Sequence, residues 1–424
     1  MKVFKFGGAS INSAEAVRNM VSIVRQEPTT PLLVVVSAMG KTTNLLEKLV
    51  PGVVSPSERT THLSQLSNYH QQIIDELFPH GCSELHNAIN SMLQRIAHLS
   101  SAVPTSYNYD YDQIVSYGEL LSTTIIAAYM KELGINAVWV DVRKVIYTDS
   151  TYREGRVDWK QTSDNVQSKL LPLMHNNIVI TQGFIAGTAD GSTTTLGREG
   201  SDYSASILSF CLGAESMTIW KDVAGFLNAD PKFFSNTVKI DHLPYNEAIE
   251  LAYYGASVIH PKTVKPIQNK SINLYIKSFV DPSMPGSTIG NFDSISPQTP
   301  LYIFKRNQIL ISILPKDFSF IAEDNLQTIF AALAHIGIRV NLMQNSALSF
   351  SLCIDNNEVL INQLQEILGD HYHLRYNTDL ELITIRYYTA NVIQQIVGNR
   401  QVLLQQRSRI TAQLVVSDTM SIAL

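Results

Sequence analysis

Over the first 280 positions, short runs of β-forming residues at 3–6, 32–37, 137–141, 178–181, 217–220 and 273–277 alternate with longer stretches of helical spacing. That alternation predicts an α/β sandwich. The stretch 57–99 breaks the rhythm. Leu, Ile and Phe recur there at spacings of three and four, interrupted at Pro79-His80-Gly81, which predicts a helical hairpin on the α/β core. Turn formers then cluster without apolar periodicity at Asp281-Pro282-Ser283-Met284-Pro285-Gly286 and at Ser296-Pro297-Gln298-Thr299-Pro300. A domain boundary is expected there, between a first domain at 1–290 and a tail at 301–424.

The tail reads as strand 307–314, helix 323–336, strands 338–343 and 348–354, helix 358–368 and strand 371–376. This is the βαββαβ order of a ferredoxin-like split unit, about 307–378. A strand at 380–387, a helix at 390–398 and β-rich runs to Val416 supply most of a second unit, about 380–424, so an internal repeat is expected.

Composition changes this picture little but excludes several functions. With 424 residues, 45% hydrophobic and 16% charged, the chain is long enough for two or three packed domains. A net charge of −5 and a pI near 6.1 provide no global basic field for nucleic acid or anionic membrane, so any phosphate site has to be built locally. Cys82, Cys211 and Cys353 lie far apart, with no Cys-x-x-Cys pair and no His at ligand spacing, and read as free thiols. The N-terminus reaches Gly7-Gly8 too early to form a secretory signal, and no uninterrupted apolar run has the roughly 18 residues of a membrane span. A cytoplasmic protein that begins at Met1 is the expectation.

Five segments carry candidate chemistry. Lys5-Phe6-Gly7-Gly8-Ala9-Ser10 ends the first strand before a helical pattern at 13–25. Backbone N–H groups, a helix start and a mobile ammonium could hold phosphate there, or the segment could be a plain Gly-Gly turn; its spacing is neither a Walker P-loop nor Gly-x-Gly-x-x-Gly. Ser37-Ala38-Met39-Gly40-Lys41-Thr42-Thr43-Asn44 ends the second strand, where open α/β sheets bind ligands, although a helix N-cap explains its hydroxyls equally well. Glu119, in Gly118-Glu119-Leu120-Leu121-Ser122, is either a site group or a surface glutamate. The densest segment runs from Thr193 to Ala205 and contains Arg198, Glu199, Ser201 and Asp202. Arg grips carboxylates bidentately and Asp orients an ammonium or a metal-bound phosphate, a concentration that a merely structural loop rarely shows. Beyond it, Lys221 and Lys232 are phosphate-contact candidates that also read as solvated loop charges.

Lys-Phe-Gly-Gly, Gly-Glu-x-x-Ser, Thr-Thr-Leu-Gly-Arg-x-Gly-Ser-Asp-Tyr-Ser-Ala, Trp-x-Asp-Val-x-Gly with Asp-Pro-Lys, and Tyr254-Gly255-Ala256-Ser257-Val258-Ile259-His260-Pro261 occur in that order. Together they resemble the aspartate kinases of the amino-acid kinase superfamily, and the tail resembles their paired ACT domains. The resemblance implies a three-layer α/β sandwich followed by two ferredoxin-like (ACT) α+β units. It implies transfer of the γ-phosphoryl of ATP, with Mg2+, to the side-chain carboxylate of L-aspartate, without a metal cluster of the protein's own. Lys5, Gly7 and Gly8 match the phosphate-gripping positions, with Lys5 and Asp202 catalytic. Ser37, Thr43, Glu119, Arg198 and Ser201 match substrate positions, Glu119 facing the amino group and Arg198 the α-carboxylate. Lys221, Asp222, Leu227, Lys232 and Ser257 occupy nucleotide-side positions. A homodimer or dimer of dimers is expected, with an amino-acid effector at the ACT-like units.

Three positions depart from the family pattern, which often has Gly at 199, Thr at 221 and Lys at 257 where this chain has Glu199, Lys221 and Ser257. A cation lost at 257 and gained at 221 suggests an exchange. In lysine-sensitive relatives, carboxylates stand where this chain has Asn341 and Ala347, so weak or no lysine inhibition is expected. The competing readings are a sister kinase acting on glutamate, acetylglutamate or a nucleoside monophosphate, and an inactive amino-acid sensor. The tail leaves no room for a fused homoserine dehydrogenase, so a monofunctional kinase is expected.

Overall fold

The computed structural model describes residues 1–27, 31–231, 233–234, 236–256, 259–317 and 319–417. Two compact units emerge. One comprises Met1–Phe226, Lys239–Ala252 and Ser257–Pro297, the other Leu227–Val238, Tyr253–Ala256 and Gln298–Leu424. The short stretches 227–238 and 253–256 thus group with the tail although they lie within the expected first domain.

An eight-stranded sheet forms the spine of the first unit, in the order His242–Pro244, Ser287–Gly290, Asn273–Ser278, Ser216–Lys221, Lys2–Phe6, Leu32–Val36, Ile178–Gln182, Ala137–Val140. Lys2–Phe6 is central and pairs in parallel with both Leu32–Val36 and Ser216–Lys221. All five positions of Leu32–Val36 are buried. Because successive side chains point to opposite faces, both faces are covered there. Helix Ala14–Arg25, capped by Ser13 Oγ accepting from Ala16 N, lays Val17, Met20, Val21 and Val24 into a core shared with Phe4, Phe6, Val34 and Val36.

The expected hairpin is present as helices Pro56–Leu77 and Ser83–Ser100. Ser55 and Glu58 form a capping box, and Pro56 sits in the first turn, where its missing N–H costs nothing. Leu66, Ile73, Ile74, Leu77, Leu85, Ile89 and Ile96 join the same core as the sheet.

The second unit is a six-stranded antiparallel sheet, ordered Val340–Asn345, Phe350–Asp355, Leu301–Pro315, Tyr372–Arg386, Thr411–Ser417, Val402–Arg407. Helices Glu323–Ile336 and Glu358–Leu368 cover Ile309, Ile311 and Ile313, and helix Ala390–Val397 covers Ile383 and Ile385. The tail is therefore built from two ferredoxin-like units. They are joined more intimately than the sequence suggests: the separate strands expected at 371–376 and 380–387 are one strand, and the strand expected at 307–314 starts at Leu301. Asn307 and Asp379 take φ of 54° and 57°, beside register shifts between Lys305, Gln308 and Leu310. Residues that signal turns here produce bulges, which bend a strand without ending it.

Cys211 and Cys353 are buried, which pushes their thiols up to about 11 and about 12 and leaves them inert. Among the described residues no helix is long and apolar enough to cross a membrane.

Candidate active site

The carboxyl ends of Lys2–Phe6, Leu32–Val36 and Ser216–Lys221 open onto a cavity of about 910 Å³ in the first unit. Lys5, Gly8, Ser37, Thr43, Glu119, Arg198, Ser201, Asp202 and Lys221 all line it. Residues from five separate stretches of sequence thus meet in one place.

Part of the cavity lining is a charge cluster. Lys5 is buried, and its Nζ lies 2.6 Å from Asp202 Oδ1, while Lys221 Nζ lies 3.9 Å from Asp202 Oδ2. Asp202 belongs to the first turn of helix Gly200–Leu212, where N–H groups and the helix dipole favour a carboxylate. Gly8 begins a short 3₁₀ turn, Gly8–Ile11, and its carbonyl accepts from Gly40 N at 3.0 Å. A Cβ at Gly8 would sit 2.7 Å from the Ala38 carbonyl oxygen, so only glycine lets the two strand-end loops close together. Gly7 lies beside them, where a Cβ would be 3.5 Å from Lys5 Nζ.

Two further lining side chains, Glu119 and Arg198, keep polar atoms without a hydrogen-bond partner among the described residues. Glu119 sits in the first turn of helix Tyr117–Glu132, fully buried. Its Oε1 accepts from Ala38 N at 3.1 Å, and its Oε2 has no hydrogen-bond partner among the described residues. Burial pushes its carboxyl up to about 8, against the pull of the Ala38 N–H and the Lys5 ammonium. The Gly-Glu-x-x-Ser pattern has a structural logic: Ser122 Oγ donates to the Ser37 carbonyl at 2.7 Å, locking this helix to the end of the second strand. The surface reading of Glu119 is therefore excluded. Arg198 is exposed in the loop between strand Thr193–Thr195 and helix Gly200–Leu212, and its guanidinium donates to no described residue.

Glu199 caps that helix with φ of 53°, a left-handed conformation that glycine adopts freely and that costs other residues about 1 kcal/mol or more. The backbone thus explains why the family pattern favours glycine at this position. Burial, and then the neighbouring Asp202 carboxylate, hold the Glu199 carboxyl above its ordinary range, with Lys221, Arg198 and Lys5 pulling the other way.

Not every expected residue reaches the cavity. Asp222 is exposed beyond the strand end and does not line it, and Leu227 belongs to the second compact unit. Lys232 and Ser257 lie outside the described residues, so the exchange of cations between 221 and 257 remains a proposal. Conversely, Asn108, Tyr111, Thr151, Tyr152, Arg153, Glu154 and Phe184 line the cavity and carry no motif in the sequence. A left-handed Arg153 and a fully buried Asp112 bring the 149–156 loop there, and neither leaves a motif in the sequence.

The "Amino acid kinase family" model matches residues 1–278. Lysine-sensitive aspartokinase 3 of Escherichia coli (strain K12) is 34% identical over 359 residues, 83% of this chain and 78% of that protein. The chain belongs to the aspartokinases. Aspartokinase 1, chloroplastic, of Arabidopsis thaliana is 30% identical over 94% of this chain and 70% of its own length. Among solved structures, E. coli aspartokinase III in complex with lysine and aspartate (T-state) superposes with a TM-score of 0.82 at 29% identity, covering 99% of this chain and 97% of that one. The same enzyme in complex with aspartate and ADP (R-state) also gives 0.82, at 28% identity over 99% and 96%. This aspartokinase therefore has an amino-acid kinase α/β domain followed by the antiparallel, ACT-type regulatory fold.

Proposed function

We infer that the cavity transfers the γ-phosphoryl of ATP to the side-chain carboxylate of L-aspartate, giving 4-phospho-L-aspartate, the entry step toward lysine, threonine and methionine. The observation that carries this reading is the pairing, in one cavity, of a lysine-aspartate cluster with an unpartnered carboxylate and an unpartnered guanidinium. Glu119 would take the amino group of aspartate and Arg198 its α-carboxylate, with Ser37, Thr43 and Ser201 bordering the acceptor. The β-carboxylate is then aimed at the lysine cluster. It is already an ionised nucleophile, so the chain supplies positioning and charge neutralisation and no general base. Lys5, Lys221 and the Gly7-Gly8 backbone would offset charge on the transferring phosphoryl group, and Asp202 would hold both ammonium groups in place. Mg2+ would be carried mainly by the nucleotide phosphates. Asp222, Leu227, Lys232 and Ser257 are assigned to the nucleotide side by family pattern alone.

Aspartate-dependent ADP release, with the acyl phosphate trapped by hydroxylamine as a hydroxamate, tests the reading. ATP turnover without hydroxamate, or hydroxamate formed from glutamate instead, would overturn it.

The ACT-type units are proposed to pair chains into a homodimer or dimer of dimers in the cytoplasm and to respond weakly, if at all, to lysine. Asn341 is already engaged: Nδ2 donates to Gln308 Oε1 at 2.8 Å and to Asp355 Oδ1 at 2.9 Å, and Oδ1 accepts from Lys305 Nζ at 2.9 Å. A second ammonium there would meet the Lys305 ammonium, and the nearby Asp355 carboxylate already accepts from Asn341 and Gln308. Inhibition on the order of a hundredfold weaker than at a site with paired carboxylates is expected. Steady-state assays with millimolar lysine decide it, and strong inhibition would refute the assignment of Asn341.

A further inference from the structure

We propose that Arg153 is a second guanidinium for the α-carboxylate of the acceptor amino acid, working beside Arg198 to set which acceptors the site takes. This deepens, and rests on, the aspartate reading above.

Arg153 lines the same cavity as Arg198 and Glu119 and is only half-buried, yet its backbone is tightly specified. Its φ is 70°, a conformation that persists in a non-glycine residue only when the surroundings impose it. The fully buried Asp112 imposes it: Oδ2 accepts from Arg153 N at 2.8 Å and from Thr195 N at 3.0 Å, while Oδ1 accepts from Thr195 Oγ1 at 2.7 Å. Gly155 N adds a bond of 2.9 Å to the Thr195 carbonyl. Within the loop, Asp149 Oδ1 accepts from Thr151 N at 3.1 Å and Arg156 N at 3.0 Å. The loop is thus fastened to the strand that reaches Arg198 three residues later, and lines the same cavity.

The side chain is aimed by aromatic rings and not by an anion. Its guanidinium carbon lies 4.4 Å from the centre of the Tyr111 ring and 5.5 Å from that of Tyr107. A cation held over a ring keeps its planar N–H edge free for a carboxylate. Burial pushes the Tyr111 hydroxyl up to about 12, so the ring stays neutral beneath it. Among the described residues the guanidinium donates no hydrogen bond and forms no ion pair. Lys5 and Lys221 already face Asp202, whereas Arg153 and Arg198 form no ion pair among the described residues, although Asp112 feels the charge of Arg153 and Glu199 that of Arg198. Two guanidinium groups outside any ion pair match a single α-carboxylate, which has two oxygens and about four acceptor sites.

The test compares intact wild type with Arg153→Ala and Arg153→Lys, using L-aspartate and its α-amide, which keeps the amino group and β-carboxylate. Arg153→Ala should raise KM for aspartate about tenfold or more and leave KM for ATP within about twofold, with Arg153→Lys recovering part of the loss. On the α-amide, wild type and Arg153→Ala should be nearly equal, because the carboxylate that the guanidinium grips is gone. Equal losses on both acceptors, an unchanged KM for aspartate or a selective rise in KM for ATP would each overturn the proposal. If wild type itself turns over no aspartate, the functional reading fails first, and that outcome is distinct from all of these.

Discussion

Two sets of groups in the cavity differ in how they treat charge. In the first, Lys5 and Lys221 face one carboxylate, Asp202, before any ligand arrives. In the second, Glu119 Oε2 has no hydrogen-bond partner, and the Arg198 and Arg153 guanidinium groups form no ion pair among the described residues. A charge-paired cluster is preorganised to offset charge that develops during reaction, and the second set would be completed by a ligand carrying both an ammonium and a carboxylate. On this proposal one cavity separates catalysis from recognition, and substitutions in the two sets should fail in different ways.

Lys5→Ala gives the largest effect: kcat should fall by roughly 10²- to 10³-fold with nucleotide affinity little changed, since charge on the phosphoryl group peaks in the transition state. A loss confined to KM for ATP would mean that Lys5 binds the ground state and that the contrast between the two sets is false.

Glu119→Gln acts in the second set and should raise KM for aspartate about tenfold with little change in KM for ATP. Its pH signature is sharper. The folded carboxyl is raised from 4.5 to about 8, so its contribution to stability is fully present below 4.5 and is lost as pH rises toward 8. Ligand-free Tm should therefore drift down between pH 5 and 8, and Glu119→Gln should flatten that drift. Affinity for aspartate should rise over the same window, because an ammonium needs the ionised form. Thermal scans with and without aspartate check both signs.

The smallest effect is expected at Glu199, which feels the charge of both sets. Glu199→Gly relieves a left-handed glutamate and removes a partly buried carboxyl whose ionisation burial and Asp202 disfavour. It should raise Tm slightly, by no more than about 1 kcal/mol of stability, with kcat within about threefold. A large loss of activity would show that Glu199 takes part in the reaction.

These asymmetries were unevenly legible in the sequence. Lys5, Glu119, Arg198 and Asp202 stood out because strand ends, glycines and helix starts leave local patterns. Arg153 did not, because what brings it into the cavity is a carboxylate at Asp112, 41 positions away along the chain. The tail erred for the opposite reason. Asn307 and Asp379 carry the local signature of turns, and only the pairing of two 15-residue strands across both units converts those turns into bulges. Strand bounds at 340–345 also came out two residues late, because Ser346 and Ser349 close the hairpin between themselves, Ser346 N donating to the Ser349 carbonyl at 2.9 Å.

Calorimetric titration of L-aspartate into wild type, Arg198→Ala and Lys5→Ala, without nucleotide, tests the division of the cavity most directly. The account predicts that Arg198→Ala weakens binding by about 2 to 5 kcal/mol while Lys5→Ala stays within about threefold of wild type. Unchanged affinity in Arg198→Ala, together with lost affinity in Lys5→Ala, would contradict it.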